Sequence, residues 1–213
     1  MPDHKPMTDN EHLAHTAVHY ITIWTTAAHM QAERIIQNLQ QQHEVELFSI
    51  KEWGSEGGYI SVDLFLAREA NSYLFIMALH QLRMAALLFR ESVPMQVADK
   101  TSAIIEKFDY AVPDVKKTRD ALTHFDDYVK GRGHLHRNKL QPLLEISSQI
   151  ESSFDPEMGF AVANIEKYTI RASITPDLPR LEIEIFSATN AASKLYNEIL
   201  KVRDEIRAYP QSQ

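Results

Sequence analysis

The chain has 213 residues, of which 44% are hydrophobic and 24% are charged, values typical of one globular domain with a buried core. The formal net charge of −7 excludes a general coat for nucleic acid, although it still allows a local basic patch. The absence of cysteine excludes disulfide bonds, thiolate metal sites and a cysteine nucleophile.

The N-terminal half of the chain predicts two long helices. Thr8 or Asp9 can cap the first helix, which we expect to end near Gln42. The glycines in the segment Lys51–Gly58 predict a turn. The second helix is predicted over Asp63–Glu91, and because it is apolar around most of its girth we expect it at the centre of a bundle.

Two shorter helices are predicted in the middle of the chain. Val93-Pro94 ends the second long helix, and a further helix is expected over about Val97–Phe108. Pro113 is a favourable residue for opening the next helix. Gly131 and Gly133 are expected to end that helix, which carries the most polar stretch of the chain.

The last third of the chain changes its hydrophobic period. Tyr168–Ile174 and Leu181–Phe186 alternate between apolar and polar residues, and the segment between them contains two prolines, so a β-hairpin is predicted. The pattern of Leu143–Phe154 fits either a strand or a helix. Ser187 or Thr189 is expected to cap an amphipathic final helix.

Together these elements predict a mainly α fold in a single domain over 1–213. We expect a helical bundle with a small C-terminal β-hairpin, at about 168–186, before the last helix. The N-terminus lacks the apolar segment of a signal peptide, and polar residues interrupt the apolar cluster Tyr73–Leu79 before it could span a bilayer. A cytoplasmic location without membrane association is therefore expected.

The candidate catalytic residues are Arg119, Asp120 and His124. Asp120 and His124 lie four residues apart on one helix face, where a carboxylate can fix the tautomer of an imidazole. Arg119 lies about 140° around the helix from His124, but its long side chain can reach the same cleft. Histidine can move a proton on a ribose 2′-hydroxyl or a leaving oxygen, while arginine stabilises charge on phosphorus. Alternatively, Arg119 pairs with Asp126 and the histidine only packs at a helix junction.

A basic run follows this helix directly. Glycine-rich backbone with arginine and lysine can contact phosphate groups, so the run is a candidate substrate-binding segment. The alternative is a basic loop that balances the charge of an acidic protein. The candidate contacts are Lys130, Arg132, His134, His136 and Arg137.

Histidines near the N-terminus form a third constellation. His15 and His19, one helical turn apart, could hold one metal ion from a single helix face, with His12 beside them. All three come from one helix, and neither H-E-x-x-H nor E-x-x-H occurs in the chain. We therefore favour a solvated histidine-rich helix turn, and no metal or cofactor is expected.

His80 and Arg83 are polar residues inside the most apolar helix. Buried polar side chains require partners, and Asp120 or Glu69 could meet this pair across the bundle. The pair either supports the Arg119 region or forms a hydrogen bond in the core, and the core hydrogen bond is the favoured interpretation.

The spacing from Arg119 to His124, R-x-x-x-x-H, resembles the signature of the HEPN superfamily. His124-Phe125-Asp126 is similar to the continuation found in uncharacterised bacterial HEPN-like proteins. In the family an asparagine often follows the arginine, whereas here Asp120 stands in that position. The resemblance implies metal-independent endoribonuclease chemistry, commonly in a dimer that brings two motifs together. Many family members instead bind RNA or act as non-catalytic partners.

On this resemblance we expect a HEPN-like RNA-binding protein, a homodimer with a cognate partner protein, and no DNA binding. His124 would be the acid–base group, Arg119 the phosphate stabiliser and Asp120 the orienting carboxylate, which makes the chain a candidate metal-independent endoribonuclease. Two alternatives remain open. One is a non-enzymatic dimeric interaction protein with a structural Arg–His pair, and the other is a metalloprotein that uses the N-terminal histidines.

Overall fold

The computed structural model describes residues 8–53, 62–113, 115–123, 145–152, 165–173 and 181–208. Within these ranges the chain is mainly helical and bundle-like, which confirms the predicted class. The elements in chain order are α1 (Asp9–Trp53), α2 (Val62–Glu91), α3 (Met95–Ala111), α4 (Val115–Thr123), β1 (Glu145–Ser152), β2 (Ile165–Ser173), β3 (Leu181–Glu184) and α5 (Ile185–Ala208).

Helix α1 begins at a reciprocal capping box. The Thr8 hydroxyl accepts the backbone N–H of Glu11 at 3.3 Å, and the Glu11 carboxylate accepts the backbone N–H of Thr8 at 2.7 Å. The helix does not end near Gln42 but continues to Trp53, so the turn predicted from Lys51 is wrong in its first three residues. Glutamine, histidine and glutamate are compatible with a helix, and this polar run continues α1. The rest of the predicted turn lies outside the described residues.

Helix α2 is the centre of the bundle, as predicted. It packs against each of the other four helices. Its inward face buries large apolar side chains that are at most 1% exposed, and this burial is the main source of stability at the centre of the fold. These residues are Phe75, Ile76, Leu79, Leu82 and Phe89.

The length and composition of α2 also meet the criteria for a membrane span. Its most apolar window has a mean hydropathy of 1.4. From sequence we expected the polar residues of this helix to exclude a membrane span, but by length and composition they do not. In the structure, 56% of that window is buried inside the protein. Burial against neighbouring helices is a sufficient reason for the apolar character of this helix.

Three strands form an antiparallel sheet in the order β1–β2–β3. Ile170 of β2 pairs with Ile183 of β3, and their side chains are 1% and 2% exposed. The segment Leu143–Phe154, for which sequence left strand and helix open, contains strand β1. The turn of the predicted hairpin, residues 174–180, lies outside the described residues, so the hairpin itself stays a prediction.

Helix α5 begins earlier than its sequence pattern predicts. The alternating segment was expected to be a strand through Phe186, but the helix starts at Ile185, directly after β3. Glu184 caps it, because its carboxylate accepts the backbone N–H groups of Phe186 and Ser187. The predicted caps at Ser187 and Thr189 are therefore wrong. The Thr189 hydroxyl instead donates to the carbonyl oxygen of Ile185 within the helix.

Candidate functional site

Helix α4 carries the first two residues of the predicted catalytic set. Val115 and Thr118, one turn apart, are 2% and 1% exposed and form part of the buried face of α4, which packs on α2. Arg119 and Asp120 follow this buried face and are less enclosed. Their side chains are 25% and 24% exposed, so both reach solvent while remaining partly enclosed by protein.

Arg119 and Asp120 form an ion pair with each other. The Nη1 atom of Arg119 lies 3.1 Å from Oδ1 of Asp120. The interaction of Arg119 with Asp126, offered as an alternative from sequence, involves a residue outside the described part of the chain. The planar guanidinium of arginine is suited to paired hydrogen bonds with carboxylate and phosphate groups.

His80 of α2 lies within the electrostatic reach of this pair. It is 7% exposed, and its Nδ1 atom has no hydrogen-bond partner among the described residues. Burial lowers the pKa of His80 below its ordinary value, and the positive charge of Arg119 lowers this pKa further. The Asp120 carboxylate opposes this effect, whereas Arg83 and Lys116 add to it. Burial and these cations therefore together favour the neutral form of His80.

Arg83 has a different partner from the ones that sequence suggested. Its Nε and Nη2 atoms donate to the two carboxylate oxygens of Asp109 on α3, at 2.6 and 2.7 Å. This hydrogen-bonded carboxylate raises the pKa of Arg83. We expected Asp120 to contact His80 or Arg83. In the structure it affects this pair only through its charge, which raises the pKa of His80. The hydrogen bond of Arg83 is therefore not the core hydrogen bond that sequence favoured, because the side chains of Arg83 and Asp109 are 26% and 38% exposed. Sequence analysis missed Asp109 as the partner.

The remaining predicted site residues lie outside the described residues. His124 comes one residue after the end of α4, so the predicted contact between Asp120 and His124 stays a prediction. The basic substrate-binding segment also stays a prediction. Its residues are Lys130, Arg132, His134, His136 and Arg137.

The N-terminal histidines are placed along the solvent-facing side of α1. His12, His15 and His19 are exposed. In the part of the chain that the structure describes, no three His, Cys, Asp or Glu side chains are placed to hold a metal ion. His29, farther along α1, lies with its Nε2 atom 2.7 Å from the Ser193 hydroxyl of α5.

Chemically, the described part of the site offers a partly exposed guanidinium and a carboxylate that holds it. Arg119 and Arg83 are each paired with a carboxylate, Asp120 and Asp109, so Lys116 is the cation near His80 that has no ion pair among the described residues. An anionic group such as a phosphate can approach at Lys116 and at the exposed part of Arg119. Sequence analysis found Arg119 and Asp120 through their spacing to His124. It did not place His80 near Arg119, because that proximity depends on how α4 packs against α2.

Comparison with known proteins adds no relative to this picture. No protein-family model, no curated protein and no solved structure matches the chain. The resemblance to the HEPN superfamily therefore rests on the motif from Arg119 to His124 and its continuation.

Proposed function

We propose that the chain is a HEPN-like RNA-binding protein with metal-independent endoribonuclease activity, acting as a cytoplasmic homodimer with a cognate partner protein. The observation that carries this proposal is the ion pair of Arg119 with Asp120 at 3.1 Å, on the helix that leads into His124. The pair is accessible to a substrate because each side chain is about one quarter exposed. Its position fits the arginine and the following polar residue of the motif.

The proposed reaction divides its work among the three motif residues. His124 takes the proton of a ribose 2′-hydroxyl as its oxygen bonds to phosphorus. The bond from phosphorus to the 5′-oxygen breaks, which leaves a 2′,3′-cyclic phosphate, and the departing 5′-oxygen receives the proton from the imidazolium. Arg119 stabilises the negative charge that develops on the phosphoryl oxygens. Asp120 holds the guanidinium in place through their ion pair and orients the imidazole in the proposed contact with His124.

Substrate binding is assigned to the basic run beyond α4. Lys130, Arg132 and Arg137 supply phosphate contacts, and His134 and His136 lie among them in sequence. Lys116, exposed on α4 one turn before Arg119, adds positive charge at the start of this path. An acidic protein with a local cationic surface can bind RNA there despite its net charge of −7.

The test is cleavage of a generic single-stranded RNA in the presence of EDTA. We expect the wild type to cleave the RNA and His124→Ala to lose cleavage, because the proton-transfer group is gone. His12→Ala is the matched control, since His12 is an exposed histidine on α1, and it should cleave like the wild type. Equal background cleavage by wild type and His124→Ala would remove the catalytic proposal.

A second candidate function is a non-enzymatic interaction protein that dimerises through apolar helices. The observation that favours it is a stripe of large apolar residues on α1, each between 40% and 47% exposed: Leu13, Tyr20, Ile23 and Met30. Their spacing keeps them on one side of the helix. Apolar side chains arranged in this way are typical of a protein contact.

Sedimentation and RNA binding separate the two candidates. Ile23→Glu should convert a dimer built on this stripe to monomer, while Gln40→Glu, an exposed change on the same helix, should not. If Ile23→Glu dissociates the dimer and His124→Ala lowers thermal stability without changing RNA affinity, the interaction protein is the better assignment. Loss of RNA cleavage in His124→Ala with unchanged thermal stability supports the ribonuclease.

The proposal also includes a single HEPN-like domain over 1–213 with a hairpin formed by β2 and β3. The antiparallel pairing of Ile170 with Ile183 supports the hairpin. The contacts of β2 and β3 with α5 support a sheet that packs against the helices and does not form a separate unit.

A further inference from the structure

A cleft separate from the Arg119 region lies between α3 and α5. Its volume is about 500 Å³, within the range of small-molecule sites in proteins. Apolar side chains form its floor, and Phe108 and Leu195 are 3% and 2% exposed. Polar side chains stand along its edges: Lys107, Ser187, Asn190, Lys194 and Glu198.

Two ion pairs show how the helices run on either side of this cleft. Lys100 pairs with Glu205 at 2.7 Å, and Lys107 pairs with Glu198 at 3.2 Å. The partner numbers fall along α5 as the lysine numbers rise along α3, so the two helices are antiparallel. The pairs lie two turns apart on each helix and form a regular ladder of charges.

The ladder stops where the cleft opens. Continuing the antiparallel register by one more turn brings Lys194 opposite Ala111, the last residue of α3, which has no charge to offer. Lys194 has no ion-pair partner among the described residues. The charges of Lys107 and Glu198 neutralise each other. The residues that line the cleft therefore carry one unmatched positive charge, that of Lys194.

The polar edge also shows where a negative group would lie. At the start of α5 the Glu184 carboxylate already binds the backbone N–H groups of Phe186 and Ser187. A second anion at that end of the cleft would be repelled by this carboxylate. Lys194 and the Asn190 side chain, farther along the helix, are the donors that remain open to an anion.

We propose that the cleft between α3 and α5 binds a small molecule with an apolar body and one anionic group, a carboxylate or a phosphate monoester. The apolar body lies against Ala111 and the aliphatic stems of Lys107 and Lys194, above the buried floor, and the anionic group is bound by the Lys194 ammonium and Asn190. The volume of the cleft suits such a ligand, and the unmatched charge of Lys194 selects its sign. This site is independent of the ribonuclease proposal, which concerns α4.

Calorimetric titration of the full-length protein tests the site, with octanoate and octyl phosphate as the two anionic probes and octanol as the neutral one. We expect both anions to bind more tightly than octanol, and the tighter anion identifies the preferred group. Lys194→Ala should weaken anion binding about fivefold, the effect of one solvent-exposed charge pair. Lys201→Ala, an exposed lysine of the same helix outside the cleft, is the matched control and should bind like the wild type.

A second variant tests the cleft itself. Ala111→Trp places a large side chain at an exposed position on the edge of the cleft, where it should block octanoate without disturbing the core. Circular dichroism verifies that this variant remains folded. Absence of octanoate binding in the wild type, octanol binding as tight as octanoate, or unchanged octanoate binding in both Lys194→Ala and Ala111→Trp would each overturn the proposal.

Discussion

Arg83 holds the carboxylate of Asp109 through two parallel hydrogen bonds, from Nε to Oδ1 at 2.6 Å and from Nη2 to Oδ2 at 2.7 Å. The pair joins the central helix α2 to α3. Its side chains are 26% and 38% exposed, so solvent screens the attraction in part. The fork geometry of arginine nevertheless fixes the two helices relative to each other more closely than a single contact would.

Replacement of Asp109 by asparagine should lower the free energy of unfolding by about 1 kcal/mol, because one charge of a paired, partly exposed fork is lost. Urea denaturation measures this change. Asp99→Asn, at an exposed position on the same helix, should leave the stability nearly unchanged. Equal effects of the two substitutions would show that the Arg83 pair contributes nothing specific.

The Arg83 pair should not make stability depend on pH in the usual range. Asp109 raises the pKa of Arg83 above its ordinary value, so the contribution of this arginine is fully present below the unfolded pKa and is lost only above it, far outside the usual pH range. The stability difference between wild type and Arg83→Gln, measured from pH 7 to pH 10, should therefore be constant. A difference that disappears across this interval would contradict the assignment.

His80 should make the protein less stable as the pH falls. Its folded-state pKa is lowered below 6.5, mainly by burial and then by Arg119, so below pH 6.5 the unfolded chain binds more protons at this residue than the folded chain. The contribution of neutral, buried His80 to the free energy of unfolding is therefore complete above that pH and decreases below it. Wild type should thus lose stability relative to His80→Gln between pH 7 and pH 5 in thermal denaturation.

The control for His80 is an exposed histidine. His12→Gln changes a residue on the surface of α1, so its stability should follow that of the wild type over the same pH interval. If His80→Gln and wild type lose stability in parallel, then burial and the nearby cations do not lower the pKa of His80, and the assignment is contradicted.

Glu184 should be needed for the start of α5. Its carboxylate satisfies two backbone N–H groups that have no partner within the helix, so Glu184→Ala is expected to cost about 1 kcal/mol of stability. Chemical denaturation measures the loss, and Glu106→Ala at an exposed site on α3 is the comparison. Thr189→Ala and Ser187→Ala do not remove the cap, and an effect of Ser187→Ala as large as that of Glu184→Ala would be inconsistent with capping by Glu184.

Much of the helical architecture could be predicted from sequence because periodicity and capping are local. The Thr8 cap, the central position of α2 and the break at Pro94 follow from residues close together in the chain. The C-terminal end of α1 and the start of α5 were harder to predict. The polar residues near Gln42 have the composition of a solvated helix end, although they are also compatible with a helix interior. Glu184 is an uncommon N-cap residue, and it lies within a segment whose alternating pattern predicts a strand.

The environment of the candidate site could be predicted only in part. The motif identifies Arg119 and Asp120 from spacing, and in the structure they form a partly exposed ion pair on α4. The partner of Arg83 lies 26 residues away on another helix, and the electrostatic effect of Arg119 on His80 depends on the packing of α4 against α2. Such long-range relationships depend on how helices pack, which a single sequence does not specify.

Arg119→Ala should slow RNA cleavage on the order of a hundredfold in kcat, the typical cost of removing one group that stabilises transition-state charge. Arg203→Ala is a close control, since Arg203 also pairs with the next residue, Asp204, and its side chain is 29% exposed. Single-turnover cleavage and RNA affinity should be measured for both variants. Equal cleavage by Arg119→Ala and Arg203→Ala would assign Arg119 to structure.

The most direct measurement compares metal-free cleavage of one RNA with cleavage of the same sequence carrying 2′-deoxyribose. The ribonuclease proposal predicts that wild-type protein in EDTA cleaves the RNA and leaves the 2′-deoxy strand intact, because His124 acts on a hydroxyl that the second strand lacks. The proposal would be contradicted if both strands were cleaved equally, or if RNA cleavage did not exceed that of His124→Ala.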